Sequence, residues 1–73
     1  MKVYFDKKDN QILTNKDEVT YQIFRMLYLD GIEMNPKNFM EYLDKNIIIT
    51  ECDTKTFFQA KKENQKYRDF YGW

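Results

Sequence analysis

Hydrophobic positions change period along this chain, and each change marks an element. Lys2-Val3-Tyr4-Phe5 is a short run of strand formers, Lys7–Asn10 is polar turn material, and Gln11-Ile12-Leu13-Thr14 resumes the apolar pattern. That sequence predicts a β-hairpin. Its turn contains no glycine, so a loop longer than a two-residue primed turn is expected. From Lys16 the period becomes helical. Thr14 or Asn15 can cap the helix, and Asn15, with Glu18 three residues on, imitates a capping box. Asp17 and Glu18 occupy the first turn, where the helix dipole favours negative charge. Gly31 suits the left-handed residue past a helix end, with Ile32 placed to contact Leu27. A helix over 16–30 is expected. Glu18, Gln22 and Arg25 share one narrow polar strip on it, and Val19, Tyr21, Ile23, Phe24, Met26, Leu27 and Tyr28 take most of the remaining circumference. A helix apolar nearly all round is a buried one, so this segment is expected to be the central helix.

A second helix is expected from Pro36, with Asn35 as cap and proline at the first helical position, where its missing N–H costs nothing. Met34 and Phe39 occupy hydrophobic-staple positions. Phe39, Tyr42 and Leu43 face one way, while Lys37, Glu41, Asp44 and Lys45 face the other, and Asn46 is a plausible end. Ile47-Ile48-Ile49-Thr50 has the β-branched composition of a strand. It could add to the hairpin or serve as a buried connector. Asp53 or Thr50 then caps a last helix over about 54–70, with Gly72 beyond it. The elements imply a single α+β domain over 1–73, in the order β-β-α-α-β-α: a short antiparallel sheet packed on a central helix and a C-terminal amphipathic helix.

Length sharpens this reading. A chain of 73 residues buries only about 60% of the surface its unfolded form exposes and is marginally stable unless something staples it. One cysteine, Cys52, permits no intrachain disulfide, which favours a reducing, cytoplasmic setting. No apolar run approaches the ~20 residues that span a bilayer, and the first residues lack the apolar region of a signal peptide. The apparent substitute for a staple is aromatic density, 18% of the chain, because each aromatic can bury roughly 150–250 Å². Net charge is zero, divided into an acidic stretch over 1–53 and a basic one over 54–73. The asymmetry is too mild for the long-range field of a strongly basic nucleic-acid binder.

The residue inventory narrows the chemistry. There is no histidine and no serine. The commonest general base, the commonest metal ligand and the serine nucleophile are therefore missing, and Cys52 has no histidine to activate it. Asp6, Asp9 and Asn10 crowd the expected turn without the glycine and distal glutamate of a calcium loop, so they read as turn formers. Glu41 and Asp44, near Asp30 and Glu33 in sequence, read as a solvated face, with no sign of a buried carboxylate. No glycine-rich phosphate loop is present. The expectation is a protein that is not an enzyme and has neither metal nor cofactor.

Six of the aromatics fall in the last seventeen residues. On a helix, Phe57, Ala60, Asn64, Tyr67 and Tyr71 form one stripe, and Lys55, Lys62 and Lys66 fall opposite it. The stripe reads as core. Phe58 and Trp73 fit it badly, and with Phe70 they are the expected anchors for a partner. Small size, aromatic richness and the absence of a catalytic set resemble, as a class, accessory proteins encoded on phages and mobile elements. The leading expectation is a small cytoplasmic protein-interaction module, a regulator or inhibitor acting by surface contact on a protein partner or on itself as a homodimer. The alternative is a nucleic-acid-binding accessory protein that touches phosphate weakly through Lys55, Lys62 and Lys66.

Overall fold

The computed structural model describes residues 1–71, with side chains described through Asp69. The elements are β1 (Lys2–Asp6), β2 (Gln11–Leu13), α1 (Lys16–Asp30), α2 (Pro36–Asn46), β3 (Ile47–Glu51) and α3 (Thr54–Tyr71). This is the expected order, and the run Ile47–Thr50 lies in a strand that extends to Glu51. The sheet runs β2-β1-β3 and is antiparallel throughout. β1 is therefore its centre, pairing Tyr4 with Leu13 on one side and with Ile49 on the other.

The local signals act as the sequence implies. The Asn15 side chain accepts the Glu18 N–H at 2.9 Å, and Asn35 does the same for Asn38 at 2.9 Å. Asp53 accepts the Thr56 N–H at 3.0 Å and so caps α3. Gly31 stands at φ 68°, and the Ile32 N–H reaches the Leu27 carbonyl at 2.9 Å, which completes the Schellman closure of α1. In the hairpin loop the Asp6 carboxylate accepts the Lys8 N–H at 2.9 Å, while Asn10 takes the left-handed conformation at φ 53°, which asparagine tolerates. α2 passes into β3 without a linker: Ile47 is already extended, yet its N–H still bonds the Leu43 carbonyl.

The core lies between one face of the sheet and the inner faces of α1 and α2. Leu13, Val19, Ile23, Met26 and Leu27 form its buried centre, with Tyr4, Phe39, Tyr42, Leu43 and Ile47 packed around it. By strand alternation Val3, Phe5, Ile12 and Ile48 face the opposite side, where Val3 is fully buried. α3 runs along β2, with the half-buried Thr56 and Ala60 bordering Ile12.

Here α1 departs from expectation. It is not buried nearly all round: Phe24, Tyr28 and Leu29 are exposed, Tyr28 to 76% and Leu29 to 66%. Its polar strip is turned inward instead, with Glu18 and Gln22 both buried. Periodicity groups residues by face but does not say which face is inside. The buried face runs Glu18, Val19, Gln22, Ile23, Met26, Leu27, a mixed strip whose polar members have partners waiting in other elements.

Gly31 gives a direct test of the α1 closure. A Cβ added there would meet nothing within 4 Å, so Gly31→Ala costs only backbone strain. Urea denaturation should show a loss of about 1 kcal/mol with unchanged slope. No loss would mean that the left-handed closure is not maintained in solution.

Candidate functional site

Two features distinguish the molecule: a polar seam in its interior and an apolar face on its exterior. The seam is built on two buried carboxylates, which corrects the expectation that none would be buried. Asp6 is fully enclosed, and Glu18 is 5% exposed. One Glu18 oxygen accepts the Thr14 N–H at 2.9 Å and the Asn64 amide at 2.6 Å; the other accepts the Thr14 hydroxyl at 2.8 Å and the Asn15 amide at 3.4 Å. Asp6 accepts the Gln22 amide at 2.9 Å, and the same Gln22 nitrogen reaches Asp9 at 2.7 Å. Asn64 joins α3 to this network. It donates to the Ile12 carbonyl at 2.9 Å and accepts from Gln11 at 3.0 Å. Buried polar groups are tolerated when their hydrogen bonds are made, and each carboxylate here is ringed by donors. A cavity of about 10 Å³ between Gln11, Glu18, Gln22, Asn64, Tyr67 and Arg68 has room for roughly one water. The seam is thus a structural joint.

The sequence held one sign of it. Asn64 interrupts the stripe Phe57, Ala60, Tyr67, and a polar residue on a buried helix face implies a polar partner. Among the described side chains the stripe is as expected, with Phe57, Ala60 and Tyr67 half-buried and Asn64 buried, and the Tyr71 side chain lies outside them. Arg25 lies over the Tyr67 ring at 4.9 Å and gives α1 and α3 a second, cation–π contact.

The apolar face is formed by α1, the connection after it and the start of α2. One groove, of about 450 Å³, lies between Tyr21, Phe24, Arg25, Tyr28, Leu29 and Met34. A second, of about 430 Å³, lies between Thr20, Phe24, Met34, Asn35, Pro36 and Phe39. Phe24 and Met34 are common to both, which makes the surface continuous. The Phe24 and Phe39 rings meet edge-on at 5.6 Å and form a floor between the helices.

The chain matches no family model, no curated protein and no solved structure.

Of the residues expected to contact a partner, Phe58 is exposed and packs edge-on against Phe57 at 5.4 Å. The Phe70 side chain and Trp73 lie outside the described residues. Lys55, Lys62 and Lys66 are exposed on α3, interspersed with Glu63 and Asp69. Sequence reasoning assigned Phe24 and Tyr28 to the core and so missed the exterior face. Among the described residues, no group of three or more Cys, Asp or Glu is placed to hold a metal ion, and no helix is long and apolar enough to cross a membrane.

A surface latch ties the end of α1 to α2 and to the hairpin loop. Asp30 ends α1, where the helix dipole disfavours a negative charge, and the last turn of that helix has no basic residue. The Tyr42 hydroxyl donates to Asp30 at 2.7 Å, and Lys8 of the hairpin loop pairs with it at 3.3 Å. The Tyr42 bond, followed by Lys8, holds the Asp30 carboxyl below its ordinary 3.8. The same bond pushes the Tyr42 phenol above its ordinary 10.0.

Two measurements probe these joints. Asn64→Ala removes a donor from Glu18 and from the Ile12 carbonyl, so it should lower stability by about 1–3 kcal/mol; a loss of only a few tenths in chemical denaturation would refute the joint. For the latch, the lowered Asp30 pKa means that its contribution is present above 3.8 and disappears as pH falls through the lower folded value. The raised Tyr42 pKa means that its contribution is present below 10.0 and disappears as pH rises through the higher one. In Tyr42→Phe, NMR titration should find the Asp30 midpoint moved up towards its ordinary value. An unmoved midpoint would rule out the Tyr42 hydrogen bond as the main cause.

Proposed function

We propose that this chain is a small protein-interaction module, a regulator or inhibitor that works by surface contact through the apolar face of α1 and α2. One observation carries the reading: Phe24, Tyr28, Leu29 and Met34 are exposed side by side on a helical platform. A short chain gains most by burying such residues, at about 25 cal/mol for each Å² removed from water. Leaving them outside while burying Glu18 and Gln22 is costly for the isolated fold and favourable for an interface. Contiguous exposed apolar patches rimmed by polar groups mark interaction sites, and Arg25, Asn35 and the exposed Lys37 supply that rim. The face suits an apolar helix or loop of a partner protein laid across the Phe24–Met34 junction, in the manner of helix-in-groove recognition. A reducing, cytoplasmic setting accords with the single cysteine, Cys52.

The test is capture from nuclease-treated lysate with the wild-type chain and with a Tyr28→Asp/Leu29→Glu variant. Both positions are exposed, so the variant should keep its circular dichroism spectrum and stability. A protein retained by the wild type and lost by the variant is the expected result. Identical captures, or binding abolished by nuclease, would overturn the proposal.

A further inference from the structure

Asp30–Gly31 is the one place in this chain where an aspartate or asparagine precedes glycine. Such a pair carries latent chemistry of its own. The main-chain nitrogen after an aspartate can attack that residue's side-chain carboxyl and close a five-membered succinimide ring. Glycine makes the attack easiest, because it has no Cβ to crowd the nitrogen and its backbone rotates most freely.

The fold grips every group this step needs. Asp30 is the last residue of α1, and a helical ψ of about −42° turns the following nitrogen away from the residue's own side chain. Gly31 is held in the left-handed conformation, and its N–H donates to the α1 carbonyls of Leu27 and Tyr28, the latter at 3.2 Å. The carboxyl itself is held by the Tyr42 hydroxyl at 2.7 Å and by Lys8 at 3.3 Å. Tyr42 first and Lys8 next, with Lys45 adding a weaker attraction, favour its ionised form. Ring closure consumes the neutral form, which can release an oxygen as water.

We propose that Asp30–Gly31 is a site of spontaneous aspartate isomerisation, held shut by the closure of α1 and by the Tyr42 and Lys8 contacts to the carboxyl. When the closure opens locally, the Gly31 nitrogen bonds to Asp30 Cγ. The nitrogen gives up its hydrogen, the Cγ–OH bond breaks, and the two fragments leave as water. Water then adds back to the ring. Addition at Cγ breaks the new bond and restores aspartate. Addition at the main-chain carbonyl breaks the original peptide bond and leaves Gly31 joined through Cγ, as isoaspartate. No oxidant, reductant or cofactor enters, and the mass is unchanged.

The product does not fit the site it came from. Its main chain is longer by one methylene, at the point where the Gly31 and Ile32 N–H groups must meet the carbonyls of Leu27 and Tyr28. Its carboxylate hangs directly from Cα, one methylene short of the arm that reaches Tyr42 and Lys8. The connection that begins at Gly31 also carries Met34, which lines both apolar grooves, so the change reaches the exterior face.

The experiment follows isoaspartate by peptide mapping of the full chain over weeks at physiological temperature and neutral pH. Isoaspartate shifts a peptide's retention and blocks cleavage by an aspartate-specific protease. In guanidinium chloride, isoaspartate should accumulate at Asp30 faster than at any other aspartate, and Gly31→Ala should suppress it there. In buffer the wild type should be much slower than in denaturant, and Tyr42→Phe and Lys8→Ala should each raise the rate at Asp30 severalfold while the circular dichroism spectrum stays native. Lys8→Ala alters only an exposed side chain, so it decides the matter if Tyr42→Phe loses its fold. No preference for Asp30 in denaturant, equal rates with and without denaturant, or variants that isomerise at the wild-type rate would each overturn the proposal.

Discussion

The Glu18 carboxylate is the point on which three parts of this molecule depend. Thr14, just past β2, gives it a backbone N–H and a hydroxyl, the α1 cap residue Asn15 gives it an amide, and Asn64 gives it an amide from α3. Without Glu18 to receive it, Asn64 would lose one of the acceptors that hold α3 against β2. The joint is directional, because hydrogen bonds demand particular distances and angles. Apolar packing alone would let a helix slide or rotate along the sheet, whereas Asn64 fixes both the register and the rotation of α3.

Inverting α1 follows from that joint. A helix that turns Glu18 and Gln22 inward must turn Phe24 and Tyr28 outward, since 100° per residue allows no independent choice for each side chain. The interior polar seam and the exterior apolar face are thus two results of one rotation. The Asp30 latch steadies that rotation at the far end of the helix, where the hairpin loop and α2 both hold its last residue.

The fold was largely legible in the sequence because its local signals are strong and act at short range. Asn15, Gly31, Asn35, Pro36 and Asp53 each satisfy backbone groups within a few residues, so the element boundaries follow from chemistry that neighbours can report. The β-branched composition of Ile47–Thr50 likewise favoured a strand, with a buried connector as the other reading, and the strand is what forms. What was hidden depends on partners far away in the chain: Glu18 finds Asn64, and Gln22 finds Asp6. A sequence reading treats a charged residue on a helix as solvated because that is usually right, and nothing local contradicts it. The same default placed Phe24 and Tyr28 inside, so the exterior face could emerge only once the rotation of α1 was known. Phe58 could be read as exposed because Phe57 already claimed the buried stripe.

The outward aromatics of α1 also bear on how this protein responds to temperature. Heat capacity rises on unfolding mainly because apolar surface becomes hydrated. Tyr28 and Leu29 are largely hydrated in the folded chain already, and Phe24 and Met34 about half so, so unfolding adds less at these positions than burial would allow. A domain built this way has a flatter stability curve than its hydrophobic content suggests, with shallower loss of stability on both cooling and warming. Covering that face would restore the missing heat-capacity difference, so an occupied and an unoccupied molecule would differ in the curvature of their stability as well as in its height.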